Sequence, residues 1–302
     1  MLDRVPDGPE VAKAADLLLR KSGAYGRWPT PVDDIVAAAG LVEPMDSLLS
    51  PGVVDQAPEH LKRAMRKISG KVLALLDRQT REIHLDPAIH VVGQRSFKKL
   101  HEVSHDMCAW QHDLAYADDH ATLSPLTHRT FERQANAGAA ELLFQRERFG
   151  EIAREYAVGM ASVVELSNLV GSSLRATLHR YVEVQKRPVV GVVLEISPTQ
   201  RNPFGYRRLE ANCSKKWETK FGDSSCWPQV LFENPFQFVT SADEARTSRT
   251  TVQGQQRFPD VDNTTVKVQY ELLSNSYNVL LLMWVPGREL GRRKRIVVAG
   301  RP

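Results

Sequence analysis

The chain has 302 residues, a formal net charge of +4, 42% hydrophobic residues and 25% charged residues. This length exceeds the usual size of one domain, so we expect two or three compact units. The composition is that of a globular protein and excludes intrinsic disorder as the default. The charge permits an anionic partner without requiring nucleic acid or a membrane surface.

Three cysteines, Cys108, Cys213 and Cys226, form no CxxC pair and no even set for a disulfide framework. That usage suits a reducing compartment. The first twenty residues carry early acidic groups and an amphipathic pattern in place of the unbroken apolar stretch of a signal peptide. The most apolar run, residues 279–285, is far too short to span a bilayer. We therefore expect a soluble cytoplasmic protein without a membrane partner.

The N-terminal half is predicted to be mainly helical, with one strand hairpin. Apolar residues recur at helical spacing in several segments, and proline or glycine marks their ends. The predicted helices cover residues 9–20, 31–39, 58–68, 95–110 and 129–146. Two short strands, 71–77 and 81–86, are joined by the polar turn 78–80, and a polar stretch, 112–128, separates the last two helices.

Residues 147–184 predict three more helical segments. The last two, 160–170 and 173–184, are separated by Gly171, a spacing that resembles a helix-turn-helix. From Arg187 onward the pattern changes to strands, at 188–196, 265–273 and 277–285. The fold class is therefore α+β, with a separate C-terminal domain.

The segment His101-Glu102-Val103-Ser104-His105 is an HExxH motif on a predicted helix. Residues four apart lie on one helical face, so both imidazoles can reach one ion. Glu102 would then serve as general base on a water molecule that the ion activates. The alternative is a pair of core-facing histidines beside a solvated glutamate.

The next predicted helix offers a third, acidic ligand at Glu132, which would complete a tripod of the catalytic type. Asn136 lies at i+4 from Glu132 and can orient a ligand through its amide.

These residues resemble the ImmA/IrrE family of metallopeptidases. The segment 97–105 is similar to the metal-binding helix of that family, and 132–143 resembles its ExxxN motif with the small residues and leucines that follow. The resemblance covers roughly residues 9–184. Ser104 stands where the family usually has glycine, and Phe144-Gln145 stands where it usually has proline.

The resemblance implies a zincin-like metallopeptidase domain at 1–146, a helix-turn-helix-like segment at 147–186, and a C-terminal α/β domain at 187–302. The longer, IrrE-like members carry a GAF-like sensor there. It also implies a Zn²⁺ enzyme, with Mn²⁺ as the other metal, that cleaves an XRE-type helix-turn-helix repressor and so relieves repression of stress-response or mobile-element genes. The strand 81–86 could hold an extended substrate peptide by strand addition.

The second helix of the helix-turn-helix-like segment offers polar side chains to DNA or to a substrate: Arg175, Thr177, His179 and Arg180. The other interpretation is a helical hairpin that packs on the peptidase or docks the substrate. Two further functions stay open at this point. One is a DNA- or ligand-binding regulatory protein with a structural or vestigial metal site, and the other is a zinc enzyme of another class, such as an amidohydrolase.

Overall fold

The computed structural model describes residues 5–50, 53, 73–111, 125–196, 205–224, 227–231, 236–275 and 277–287. The chain divides into two compact units. Unit 1 comprises residues 1–149 and 168–173, and unit 2 comprises 150–167 and 174–302. The segment 147–186, predicted as a connector, contributes residues to both. The predicted helix 58–68 lies outside the described residues.

The described residues of unit 1 form four helices and a strand hairpin, and two further helices, α5 and α6, follow. The helices are α1 (Gly8–Lys21), α2 (Val32–Ala38), α3 (Val92–Met107), α4 (Pro125–Leu143), α5 (Glu147–Ala153) and α6 (Met160–Val170). The strands are β1 (Ala74–Asp77) and β2 (Glu82–Leu85). The prediction of helices followed by a hairpin and two long helices is thereby confirmed for the described residues.

The core of unit 1 forms where α1, α3 and α4 meet. Helix α1 buries Val11, Ala15 and Leu19 completely, because these residues recur at intervals of four on one face. The chain leaves the helix at Gly23, whose φ of 63° is the left-handed conformation that a glycine adopts without strain.

Helices α3 and α4 approach each other closely at Gly138. A Cβ atom at this position would lie 2.8 Å from Ser104 Oγ and 2.6 Å from Met107 Cε. Ser104 is fully buried, and its hydroxyl donates to the Leu100 carbonyl at 2.7 Å. The serine that departs from the family pattern is therefore accommodated by the missing side chain opposite it.

The hairpin is antiparallel, with Leu75 opposite His84 and Leu76 opposite Ile83. Both strands lie against α3. Val42 forms a parallel bridge to β2, because its N–H donates to the Arg81 carbonyl and its carbonyl accepts from Ile83 N. Strand β2 is thus paired on both sides.

Unit 2 is built on a six-stranded antiparallel sheet, in the order β5-β4-β3-β8-β7-β6. Its strands are β3 (Val189–Ile196), β4 (Tyr206–Cys213), β5 (Val230–Leu231), β6 (Val252–Pro259), β7 (Thr265–Ser274) and β8 (Val279–Trp284). Its helices are α7 (Leu174–Glu183), α8 (Lys215–Phe221) and α9 (Phe238–Ser248). The α+β class is confirmed. Of these elements the sequence predicted β3, β7, β8 and α7, and missed the others.

Helices cover both faces of this sheet. Val190, Val192 and Leu194 contribute to a core that also holds Trp217 of α8 and Phe238 of α9. On the opposite face Gly191 lies under α7, where an added Cβ would meet Val182 and Leu178 at 3.0 to 3.2 Å. Alternate residues of β3 thus serve two layers, as the strand period requires. Within the described residues, no helix is long and apolar enough to cross a membrane.

Candidate metal centre

Three side chains from α3 and α4 converge in unit 1. His101 and His105 lie one turn apart on α3, and their Nε2 atoms are 3.2 Å apart. His101 Nε2 lies 3.5 Å from Glu132 Oε2 on α4, and His105 Nε2 lies 3.5 Å from the other carboxylate oxygen, Oε1. One donor atom from each of the three residues lies within 4.8 Å of the others. The three groups are therefore close enough together to hold one metal ion.

The donor set is a plausible one for a catalytic ion. Two imidazoles and one carboxylate match the ligands that zinc takes in peptidases, and they leave a fourth position open. Among the described residues, this is the group of histidine, cysteine and acidic side chains that could hold a metal ion. His101 is buried, whereas the Glu132 side chain is 43% exposed. Glu132 is therefore the most solvent-exposed of the three side chains.

The packing of these three side chains shifts the pKa values of Glu132 and His105. Contacts with His101 and His105 hold the pKa of the Glu132 carboxyl far below its usual range. Burial works to lower the pKa of His105, but its contacts with Glu132 and Gln111 outweigh burial and the net shift is upward. Glu132 is consequently an anion at neutral pH.

Glu102 is 8% exposed. Burial raises the pKa of its carboxyl, and the neighbouring His101 and His105 oppose that shift. A carboxylate with an elevated pKa is a better proton acceptor from water. The protein places this residue beside the converging histidines, as the HExxH spacing predicts.

Two glutamines that sequence reasoning missed lie beside this centre, Gln111 in contact with His105 and Gln134 in contact with Gln111. His105 Nδ1 lies 2.8 Å from Gln111 Oε1, and Gln111 Nε2 donates to Gln134 Oε1 at 2.9 Å. Both glutamines are only 1% exposed. Gln111 follows the end of α3 and Gln134 is two residues beyond Glu132, positions that no spacing rule marks.

The remaining predicted residues lie elsewhere. Asn136 is exposed on α4. On α7, Arg175 pairs with Glu210 through both carboxylate oxygens, and His179 Nε2 lies 2.6 Å from Glu210 Oε2. Thr177 is fully buried, and Arg180 pairs with Glu183 at 3.0 Å. These four residues are therefore engaged within unit 2, and the roles predicted for them and for Asn136 stay predictions.

An HExxH helix with an acidic residue on a neighbouring helix is an arrangement typical of metallopeptidases. Residues 62–181 match the family model of the IrrE N-terminal-like domain, peptidase M78. The resemblance of this part of the chain to ImmA/IrrE proteins is thereby confirmed. The match includes His101, His105 and Glu132 and ends before β3.

One solved structure, titled Mycobacterium tuberculosis transcriptional regulator, is similar with a TM-score of 0.52 and 14% sequence identity. The similarity covers 92% of this chain and 76% of that one. At this identity the likeness concerns the fold alone. A search of curated proteins found no match.

Proposed function

We propose that this protein is a site-specific, metal-dependent endopeptidase of the cytoplasm that cleaves an XRE-type helix-turn-helix repressor and so relieves repression of stress-response or mobile-element genes. The convergence of His101, His105 and Glu132, with donor atoms within 4.8 Å of one another in a segment that matches a peptidase family, carries the proposal. The cofactor is Zn²⁺, with Mn²⁺ as the alternative. Among the described residues Cys108 and Cys213 are free, which fits a reducing compartment.

A bound divalent ion would supply Lewis-acid polarisation of the scissile carbonyl and lower the pKa of a water molecule. The protein supplies the rest. His101, His105 and Glu132 would hold the ion, and Glu102 would accept a proton from the attacking water and pass it to the leaving amine. Glu102 is suited to this role because its carboxyl is buried next to the two histidines and has a raised pKa.

An extended peptide fits this centre by strand addition at β1. The sequence favoured the strand 81–86 for this role, but Val42 already pairs with Arg81 and Ile83. Among the described residues β1 pairs with β2 alone. Asp86 N donates to the Leu73 carbonyl, so in the observed register Leu73, Leu75 and Asp77 turn their backbone groups toward β2.

The alternate residues, Ala74 and Leu76, turn their N–H and C=O groups to the free edge. The end of β1 lies close to α3, the helix that carries His101 and His105, because Arg78, directly after β1, donates to the His105 carbonyl at 3.4 Å. A repressor segment would bind there through its backbone, which favours an exposed, extended loop as the cleavage site.

The contact of the HExxH helix α3 with the strand pair of β1 and β2 supports a zincin-like fold for unit 1. We keep a GAF-like sensor role for residues 187–302, where the antiparallel sheet forms the domain scaffold. DNA contact through α7 is less favoured, because Arg175 and His179 bind Glu210 and Thr177 is buried.

The test is cleavage of purified XRE-type repressors from the same genome by the zinc-loaded protein, beside the Glu102→Gln variant. We expect one repressor to be cut at a single site by the native protein and left intact by the variant. Cleavage at the native rate by Glu102→Gln, or no cleavage of any repressor in the panel, would count against the proposal.

A further inference from the structure

The two buried glutamines beside the centre belong to one hydrogen-bonded chain that runs from the start of α1 to His105. Gln134 Nε2 donates to the Pro6 carbonyl at 3.1 Å and to Asp7 Oδ2 at 3.0 Å. Gln134 Oε1 accepts from Trp110 Nε1 at 3.1 Å and from Gln111 Nε2 at 2.9 Å. Gln111 Oε1 then faces His105 Nδ1 at 2.8 Å.

The direction of these hydrogen bonds is fixed by two groups that cannot exchange donor and acceptor roles. An indole N–H is only a donor, and a proline carbonyl is only an acceptor. The Gln134 oxygen must therefore face Trp110, and its amino group must face Pro6. That oxygen requires a donor from Gln111, so the amino group of Gln111 faces Gln134 and its oxygen is left for His105.

An amide oxygen beside His105 Nδ1 requires a hydrogen on that nitrogen. We propose that Gln111 and Gln134 are positioning residues that hold His105 in the Nδ1–H tautomer, with the Nε2 lone pair free for a metal ion. This inference rests on the proposed metal centre. Gln134 acts only through Gln111, and Gln111 acts only through His105.

The two proposed histidine ligands differ in whether Nδ1 has a hydrogen-bond partner. Among the described residues, the buried Nδ1 of His101 has no hydrogen-bond partner. An acceptor provided by the fold therefore faces Nδ1 of His105, whereas none among the described residues faces Nδ1 of His101. A hydrogen bond from a ligating imidazole to an acceptor typically contributes 10- to 100-fold to metal affinity.

The first measurement is the tautomer of His105 in the metal-free native protein, from long-range ¹H–¹⁵N correlation at a pH where the ring is neutral. We expect the Nδ1–H form. An Nε2–H form in the native protein would overturn the inference without any variant having to fold.

The second measurement is zinc affinity by chelator competition for Gln111→Leu, Gln111→Glu and Gln145→Leu. Gln145 is the matched control, a fully buried glutamine of unit 1 that accepts from Gly26 N and donates to the Arg27 carbonyl, both at 2.7 Å, away from the centre. We expect Gln111→Leu to weaken zinc binding roughly 10- to 100-fold. Gln111→Glu, which keeps an acceptor for Nδ1–H, should stay near the native affinity, as should Gln145→Leu.

Equal zinc affinities for Gln111→Leu and Gln145→Leu would overturn the inference, as would an equal loss in Gln111→Glu and Gln111→Leu. These readouts are independent of peptide cleavage. A protein that showed the expected tautomer and affinity pattern but cut no repressor would refute the proposed function and leave the role of the glutamines intact.

Discussion

Glu102 lies next to His101 in the sequence, but in the proposed function it has a different role from the three metal ligands. Its carboxyl is buried and its pKa is raised, which suits a proton acceptor. Replacement by glutamine keeps the size and removes the basic oxygen. We expect Glu102→Gln to lower the rate of peptide cleavage by roughly 10²- to 10⁴-fold, the usual contribution of general acid–base catalysis.

The control for this prediction is the metal content of the same variant. Glu102 is not among the three converging ligands, so Glu102→Gln should bind zinc as the native protein does. A variant that lost both zinc and activity would instead show that Glu102 helps to hold the ion.

Glu210 gives unit 2 a pH-dependent stability. Burial acts to raise the pKa of its carboxyl, but contacts with His179 and Arg175 dominate and lower the pKa to about 2. A carboxyl with a lower pKa in the folded state stabilises that state above its unfolded pKa, near 4.3. This contribution is lost as the pH falls from that value toward 2.

We therefore expect Glu210→Gln to flatten the decrease in unfolding free energy over this acidic range, measured by urea unfolding at several pH values. The matched variant is Glu195→Gln, which removes the exposed pair with Arg207 on the same sheet. Exposed pairs contribute little, so its profile should follow the native one. Parallel profiles for Glu210→Gln and the native protein would contradict the assignment.

The sequence was sufficient to find the residues that converge and insufficient to find those that orient them. An HExxH spacing places two imidazoles on one face by helix geometry alone, and a glutamate on the next helix completes the set. Gln111 and Gln134 have no comparable signal, because their role depends on how α1, α3 and α4 pack in three dimensions.

At the scale of the helices, the centre depends on the close approach of α3 and α4 at Gly138. An alanine there would press on Ser104 and Met107, and overpacking of this kind typically costs about 1–3 kcal/mol. Glu132 lies on the helix that would be displaced. We expect Gly138→Ala to lower both the unfolding free energy and the zinc affinity.

The double variant Gly138→Ala with Ser104→Gly separates packing from other causes. It removes the serine side chain that the new methyl group would meet, so both quantities should return toward their native values. The two substitutions would then be strongly non-additive, as expected for residues in contact. Additive losses would show that the close approach is not what positions Glu132.

The free edge of β1 predicts a second element-level result. Leu76 turns its N–H away from β2, so a proline there removes an outward donor and leaves the pairing with β2 intact. Relative to Leu76→Ala, which controls for the lost side chain, we expect Leu76→Pro to raise the KM for an extended peptide roughly 3- to 10-fold, the worth of one hydrogen bond of about 1 kcal/mol.

Zinc content should be unchanged in both Leu76 variants, because the ligands lie on α3 and α4. Equal KM values for the proline and alanine variants would place the substrate elsewhere than on this edge.

Sequence patterns predicted some elements well and missed others for physical reasons. Helix α6 runs from Met160 to Val170, as predicted, because its apolar residues follow the helical period. Strand β6 was missed because its buried positions are Val252 and Gln256, and a glutamine in the core hides the alternation of apolar residues. Strand β4 was missed because YRRLEANC is polar along most of its length.

At the scale of the whole molecule, the pairing of distant strands lay beyond the sequence. Strand β3 pairs with β8, which follows about ninety residues later, and the register that aligns Val189 with Trp284 is set by both faces of the sheet. The two compact units also divide the predicted connector between them. Local periodicity carries no information about either feature.

The most direct test of the proposed metal centre is the zinc bound per chain after dialysis of the native protein beside His101→Ala, Glu132→Ala and Glu102→Gln. We predict about one ion in the native protein and in Glu102→Gln, and a large loss in the other two, because a catalytic zinc needs three protein ligands. A native protein without zinc, or a Glu132→Ala variant that keeps the full amount, would contradict the metal centre on which the proposed peptidase rests.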